Sequence, residues 1–157
     1  MNREYPDRPF VGVGGIVIRG QQVLLVRRGK PPRQGEWSIP GGMLELGEKL
    51  RDGVTREIQE ETGITVTPLE VLDVFDSITQ DADGKIQYHY VLVDYLCSVI
   101  GGELHAASDV SAARWATLDE ALTLVARQMT KDVIRKGFSQ TTARLAGQQI
   151  GIESSNR

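Results

Sequence analysis

The sequence predicts an α/β protein with a mixed central sheet and helices on both faces, and two observations support this prediction. Strand-like segments come before, between and after the helical segments, without the regular alternation of a parallel α/β fold. Segment 85–100 is apolar on both faces in its second half, which is typical of a strand covered on both sides. We therefore expect one domain over residues 1–157, an α/β/α sandwich with a core at about 10–146 and a flexible tail at 147–157.

Six segments have the residue pattern of β-strands. They are rich in β-branched or other apolar side chains and are bounded by glycine, proline or polar residues. The glycine- and proline-rich loop 29–36, the turn 81–84 and the polar loop 101–112 separate them. The predicted strands are 10–19, 22–28, 37–42, 65–79, 85–100 and the beginning of 113–122.

Three segments are predicted to be helical. Segment 48–62 is the clearest, because three apolar residues recur in it at four-residue spacing. These residues are Leu50, Val54 and Ile58. A second helix begins within 113–122, with Thr117 or Asp119 near its N-cap, and a third covers 129–146.

The composition limits the partner and the compartment. The formal net charge of −3 argues against a nucleic acid polymer, but a small phosphorylated ligand needs only a few arginines or a metal ion. The polar start of the chain predicts no signal peptide, and no apolar run approaches the roughly 18 residues of a membrane span. The single cysteine, Cys97, lies in an apolar run and is expected to be a buried thiol. We expect a cytoplasmic protein without a membrane partner.

The stretch Arg56–Ile64, REIQEETGI, places three glutamates near the end of the first predicted helix. Negative charges repel one another at helical spacing, and the helix dipole disfavours them at this end. On a helical wheel Glu57 and Glu61 fall within or beside the apolar stripe, whereas Glu60 falls on its flank. Inward-facing carboxylates require a compensating cation. Arg56 supplies one charge, and we expect a hard divalent ion, Mg²⁺ or Mn²⁺, to supply the rest, since no histidine or cysteine is nearby.

The loop before this helix contains Pro40-Gly41-Gly42. Adjacent glycines allow backbone conformations that other residues rarely adopt. The loop is therefore able to bring a peptide carbonyl close to a metal held by the helix, and a plain tight turn is the alternative interpretation.

Gly42, Glu48 and the stretch Arg56–Ile64, in which Gly63 stops the helix, stand in the order G-x5-E-x7-R-E-U-x-E-E-x-G-U, where U is aliphatic. This order resembles the complete signature of the Nudix hydrolases, and every fixed position matches. The flanking segments LLVRRGKPPRQGEWSIPGG and GGELHAASDVSAARWATLDEAL resemble the ADP-ribose pyrophosphatase-like branch of that family.

The resemblance implies a Nudix-type fold that hydrolyses the pyrophosphate bond of a nucleoside diphosphate linked to another moiety. ADP-ribose or a related ADP-sugar is the expected substrate, and a homodimer is common in the family. Two alternatives remain open: a sanitising hydrolase of oxidised nucleoside triphosphates, and a nucleotide-sensing module without catalysis.

The resemblance also implies roles for individual residues. Glu57 and Glu61 are expected metal ligands, and Glu60 is expected to be a third ligand or to orient the attacking water. The carbonyl of Gly41 is expected to be a further ligand. Arg56 resembles the family arginine that orients the glutamates by ion pairing.

The remaining assignments concern Glu48, the general base and the substrate. Glu48 is expected near the glutamate cluster, and Asp109, in a loop before a tryptophan-containing strand, is the expected additional acid, with Glu103 as the alternative. Arg27 and Arg28 follow an apolar strand. One of them is a candidate for contacting phosphate, and the alternative is that both are simply exposed at the end of the strand. Four aromatic residues are candidates for base stacking, although strand aromatics are more often core: Phe10, Phe75, Tyr88 and Tyr90.

Overall fold

The computed structural model describes residues 2–155, and the side chains of residues 2–148. Its strands, in chain order, are β1 (Phe10–Arg19), β2 (Gln22–Arg28), β3 (Trp37–Ser38), β4 (Gly41–Met43), β5 (Ile64–Gln80), β6 (Ile86–Gly102) and β7 (Val110–Thr117). Its helices are α1 (Leu50–Thr62), α2 (Leu118–Leu124) and α3 (Gln128–Ser155).

All the strands belong to one sheet, in the order β3-β2-β1-β6-β5, with β4 paired to β1 and β7 paired to β2. Strands β1 and β6 run parallel, and the other pairs are antiparallel. The predicted mixed sheet is therefore confirmed. The parallel pair lies at the centre of the sheet, where both faces are covered.

The two faces of β1 contribute to two separate cores. Val13 and Val17 pack with residues of α1 on one face, whereas Ile16 and Ile18 pack with α2 and α3 on the other. This alternation follows from the two-residue period of a strand. Burying each large aliphatic side chain contributes about 1.5–3 kcal/mol to folding. The helices therefore cover both faces, and the α/β/α sandwich is confirmed.

Helix α1 forms where the apolar spacing predicts it. Val54 and Ile58 are fully buried against the sheet. The helix ends at Gly63, whose φ of 74° is left-handed and whose N–H donates to the carbonyl of Gln59. The predicted helix stop is confirmed.

Several element bounds differ from the prediction. The fragment at 37–42 is divided into β3 and β4, because the chain turns at Pro40 to pair with a different strand. Thr117, rather than Asp119, is the N-cap of α2, in a capping box with Glu120.

Helix α3 extends beyond the predicted end at residue 146 to Ser155. Asn156 and Arg157, the last residues of the predicted tail, lie outside the described part of the chain.

Cys97 is 1% exposed and belongs to the α1-side core, as predicted. Among the described residues, no helix combines the length and the apolar character needed to cross a bilayer.

Candidate metal and substrate site

A cavity of about 300 Å³ lies where α1 meets the Gly41–Met43 strand and the loop before β7. We call it the acidic cavity, because three carboxylates line it, together with Arg3, Arg28 and Lys30. The carboxylates are those of Glu57, Glu61 and Asp109. Residues from distant parts of the sequence thus meet around the expected metal ligands.

Glu61 is the more buried of the two helical acids, with 7% of its surface exposed. Its carboxylate accepts a hydrogen bond from the N–H of Gly41 at 2.8 Å. Burial raises the pKa of Glu61 to about 8, the Gly41 N–H opposes this, and the charges of Glu57 and Asp109 raise the pKa further. A positive ion would relieve this unfavourable environment.

Glu57 lies beside Glu61 and packs directly against the backbone of Gly42. A Cβ at Gly42 would collide with the Glu57 carboxyl group, so only glycine permits this approach. Burial raises the pKa of Glu57, although Arg56 acts in the opposite direction. The helical-wheel prediction that both glutamates face inward is confirmed.

Arg56 is the positive centre of the glutamate cluster. Its guanidinium donates to Glu48 at 2.7 and 2.9 Å, to Glu57 at 2.8 Å and to Glu60 at 3.2 Å. It also donates to the backbone carbonyl of Met43 at 3.1 Å, which ties α1 to the glycine strand. Its bonds lower the pKa of Glu48. Arg56 therefore fixes the cluster in place, whereas among the described side chains no cation forms a salt bridge with Glu61.

The pair of Glu57 and Glu61 fits a hard divalent cation, because both carboxylates are desolvated and the donor atoms are all oxygen. Among the described residues, however, no group of three or more histidine, cysteine, aspartate or glutamate side chains is gathered closely enough to hold an ion alone. The remaining ligands would have to come from water, backbone or substrate oxygen atoms, which is the usual coordination of Mg²⁺.

The other predicted site acids occupy different positions. The Glu60 side chain is 49% exposed and does not line the acidic cavity, so its role as a third ligand stays a prediction. Gly41 contacts Glu61 through its N–H, and a ligand role for its carbonyl is likewise untested. Asp109 does line the cavity and is paired with Lys30 at 2.8 Å, whereas Glu103 is absent from its lining.

The two predicted substrate arginines are adjacent in β2, so their side chains point to opposite faces of the sheet. Arg28 lines the acidic cavity, and its Nε donates to the carbonyl of Pro32 at 2.7 Å. Arg27 points to the other face, where it is exposed and donates to Ser111 at 2.9 Å. Of the pair, only Arg28 is placed to contact a ligand in this cavity.

A larger cavity, of about 510 Å³, adjoins the acidic cavity and shares Arg28 and the segment Gly41–Met43 with it. Phe75, Tyr88 and Tyr90 line the larger cavity, so three of the four predicted stacking candidates border it. The fourth, Phe10, packs against the Tyr90 ring with centroids 6.5 Å apart. The two cavities together can hold an elongated ligand.

Sequence reasoning missed several residues of the larger cavity. The main ones are Ile39, Asp94, Arg127, Met129 and Thr130. The last three begin α3 or precede it, and no local pattern links them to the glycine loop. Asp94 did carry a signal, because it is the one charged residue in the apolar run VLVDYLCSVI.

The fold and the acidic cavity define a class of α/β/α proteins in which one helix presents carboxylates beside a double-glycine strand. The chain belongs to the Nudix family, since the NUDIX domain model matches residues 8–136. The resemblance found in the sequence is therefore confirmed.

The proteins to which this chain is similar carry names that refer to different substrates. The chain is 36% identical over 111 residues to a protein of Methanocaldococcus jannaschii named ADP-ribose pyrophosphatase, covering 71% of this chain and 63% of that protein. It is 36% identical over 124 residues to the putative 8-oxo-dGTP diphosphatase 2 of Mycobacterium tuberculosis, covering 71% and 88%. A MutT NUDIX hydrolase structure from Burkholderia pseudomallei superposes with a TM-score of 0.71 at 30% identity, covering 83% and 98%.

Proposed function

We propose that this protein hydrolyses the pyrophosphate bond of a nucleoside diphosphate linked to another moiety, with ADP-ribose or a related ADP-sugar as substrate. The observation that carries the proposal is the inward-facing pair of Glu57 and Glu61 in a cavity that continues into a larger, aromatic-lined one. The diphosphate would occupy the acidic cavity and the nucleoside the larger cavity. The relative named ADP-ribose pyrophosphatase supports the choice of substrate.

Glu57 and Glu61 would hold Mg²⁺, or Mn²⁺ as a substitute, with Glu60 and the Gly41 carbonyl as further candidate ligands. A bound divalent ion supplies neutralisation of phosphate charge and a lower pKa for coordinated water. Arg56 would act as a positioning residue, because it bonds Glu48 and Glu57 and ties the helix to the glycine strand through the Met43 carbonyl.

The reaction requires water to attack one phosphorus atom while the bond from that phosphorus to the bridging oxygen breaks. Asp109 or Glu60 would accept the proton of the water, and the bridging oxygen leaves with the second phosphate. Arg28 would bind phosphate oxygens through its guanidinium, since it lines both cavities. The products are a nucleoside monophosphate and a phosphorylated second moiety.

A second candidate function is hydrolysis of oxidised nucleoside triphosphates. The Mycobacterium tuberculosis relative, whose length is covered to 88%, favours this alternative. It requires the same acidic cavity, and the two functions differ in the ligand that the larger cavity accepts. A homodimer remains part of the proposal for either function.

The test is incubation of the full chain with Mg²⁺ and a panel of ADP-ribose, ADP-sugars and 8-oxo-dGTP, with chromatographic identification of the products. We expect ADP-ribose to give AMP and ribose 5-phosphate. Faster turnover of 8-oxo-dGTP would select the second candidate. Tight ADP-ribose binding without turnover in Mg²⁺ or Mn²⁺ would instead indicate a nucleotide-sensing module.

A further inference from the structure

One face of the sheet forms the floor of the larger cavity. Along β6, the alternating residues Tyr88, Tyr90, Leu92 and Asp94 all line it, as side chains on one face of a strand do. The next residue in this row, Leu96, belongs to the buried core under α2 and α3. Asp94 therefore stands at the inner end of the row, where the cavity meets the core.

Asp94 is 7% exposed, and none of the described residues donates a hydrogen bond to its carboxyl group. Every fully buried side-chain nitrogen or oxygen in the described part of the chain has a partner. The unpartnered carboxyl oxygens of Asp94 must therefore open onto the cavity that this residue lines. Burial raises the pKa of Asp94 to about 7, as expected for an acid without a compensating donor.

The strand beside Asp94 leaves space for its side chain. Gly14 lies opposite Asp94 in the parallel pairing of β1 with β6. A Cβ at Gly14 would lie 2.6 Å from Asp94 Oδ1 and 3.0 Å from Ile39 Cδ1. A side chain at position 14 would displace the carboxyl group, so the glycine keeps the acid at the floor of the cavity.

The surroundings of Asp94 limit the part of a ligand that can reach it. Phe75, Leu92 and Ile39 give the cavity apolar walls, which suit a flat, uncharged group. A phosphate is disfavoured beside a carboxyl group, and the arginines of the lining, Arg3, Arg28, Arg33 and Arg127, offer phosphate a better site. The ligand group at Asp94 should therefore be an uncharged ring that carries an N–H donor.

We propose that Asp94 determines the base specificity of this protein by accepting a hydrogen bond from the exocyclic amino group of adenine. The proposal rests on the proposed function, because it assigns the nucleoside to the larger cavity. It adds a residue that distinguishes adenine from hypoxanthine, which has a carbonyl acceptor where adenine has its amino donor. A polar group that is buried to receive one hydrogen bond rejects a ligand that lacks the donor.

The test compares kcat/KM for ADP-ribose and IDP-ribose in the wild type, Asp94→Asn and Asp94→Ala. We expect the wild type to prefer ADP-ribose by about tenfold to a hundredfold, mainly through KM. Asp94→Asn should improve on IDP-ribose relative to ADP-ribose, because its amide can donate to the hypoxanthine carbonyl. Asp94→Ala should lose most of the preference without this gain.

Asp76→Asn is the matched control, since Asp76 is exposed on β5 and does not line the larger cavity. It should keep the wild-type preference, and melting temperatures show which variants are folded. Equal use of both substrates by the wild type, or an unchanged preference in folded Asp94→Asn, would overturn the proposal. If no substrate is hydrolysed, the proposed function fails. Calorimetry then still tests Asp94, because the ratio of the Kd values for AMP and IMP should change between the wild type and the Asp94 variants in the same direction.

Discussion

Glu61 and Asp94 are buried acids in adjoining cavities, and burial raises the pKa of both. Glu61 already accepts a hydrogen bond from a backbone N–H, and two further carboxylates line its cavity. Asp94 has no hydrogen-bond donor among the described residues, and Ile39 lies beside it. Its cross-strand neighbour Asp73 raises its pKa further, but Asp73 is paired with Lys136 and does not line the larger cavity.

This difference shows that a raised pKa does not by itself indicate the ligand. Several carboxylates that share one cavity repel each other, and a cation relieves that repulsion. A buried carboxyl group that is the one acid lining its cavity, apart from the exposed Glu4, lacks a hydrogen bond, and one N–H donor is sufficient for it. The difference therefore supports two separate proposals, a metal ion at Glu61 and a nucleobase at Asp94.

The largest expected effect is that of Glu61→Gln, which preserves the shape of the side chain but removes its charge. We expect hydrolysis with Mg²⁺ to fall on the order of 10³-fold, because the metal contributes several kcal/mol to the barrier reduction. Saturating Mg²⁺ should raise the melting temperature of the wild type and not that of the variant. Activity within a few-fold of wild type would remove the metal assignment.

The second prediction concerns the dependence of stability on pH at Asp94. Its pKa is raised from 3.8 to about 7 in the folded state, so the folded chain binds the proton more tightly than the unfolded chain. The free energy of unfolding should therefore fall as pH rises from about 4 to about 7 and then level off. Asp94→Asn should avoid this loss and be more stable at pH 8 by on the order of 3 kcal/mol.

Thermal unfolding of both proteins between pH 4 and pH 8 measures this difference. The gap in melting temperature between the wild type and Asp94→Asn should widen with pH. A gap that stays constant over this range would mean that Asp94 titrates normally.

A smaller effect is expected for Arg56→Lys, which keeps the positive charge but loses the forked donor geometry. Lysine has three donors on one nitrogen and cannot reproduce the five bonds that the guanidinium makes, so the glutamates should lose their fixed positions. We expect kcat to fall about tenfold to a hundredfold, with a higher Mg²⁺ requirement and little change in substrate KM. A rise in substrate KM alone would assign Arg56 to substrate binding instead.

The smallest predicted effect separates two neighbouring arginines. Arg28→Ala should raise the KM for ADP-ribose about tenfold, since Arg28 lines both cavities. Arg27→Ala is the matched control and should change KM less than about twofold, because Arg27 is exposed on the opposite face of β2. Equal effects of the two substitutions would contradict the assignment of phosphate to Arg28.

Local patterns in the sequence predicted most of the fold. Apolar spacing marked α1, and the apolar run of β6 indicated a strand covered on both faces. The division of 37–42 into two strands was not predictable, because it depends on which strands pair with each piece. Edges of elements follow from such pairings rather than from propensity.

The orientation of the glutamates on α1 was also predictable from the residues of that helix. The wheel placed Glu57 and Glu61 inward, and the structure agrees. It also placed Glu60 on the flank of the apolar stripe, where the structure leaves it half-exposed and bound to Arg56.

The sequence by itself determined the mixed α/β class, the helix stop at Gly63 and the inward-facing glutamates, because each depends on residues a few positions apart. Only the tertiary structure placed Arg28 rather than Arg27 at the cavities, and only it showed Asp94 open to a ligand. These features depend on contacts between strands that are far apart in the sequence, such as the pairing of Gly14 with Asp94. The spacing of residues within one segment gives no information about such contacts.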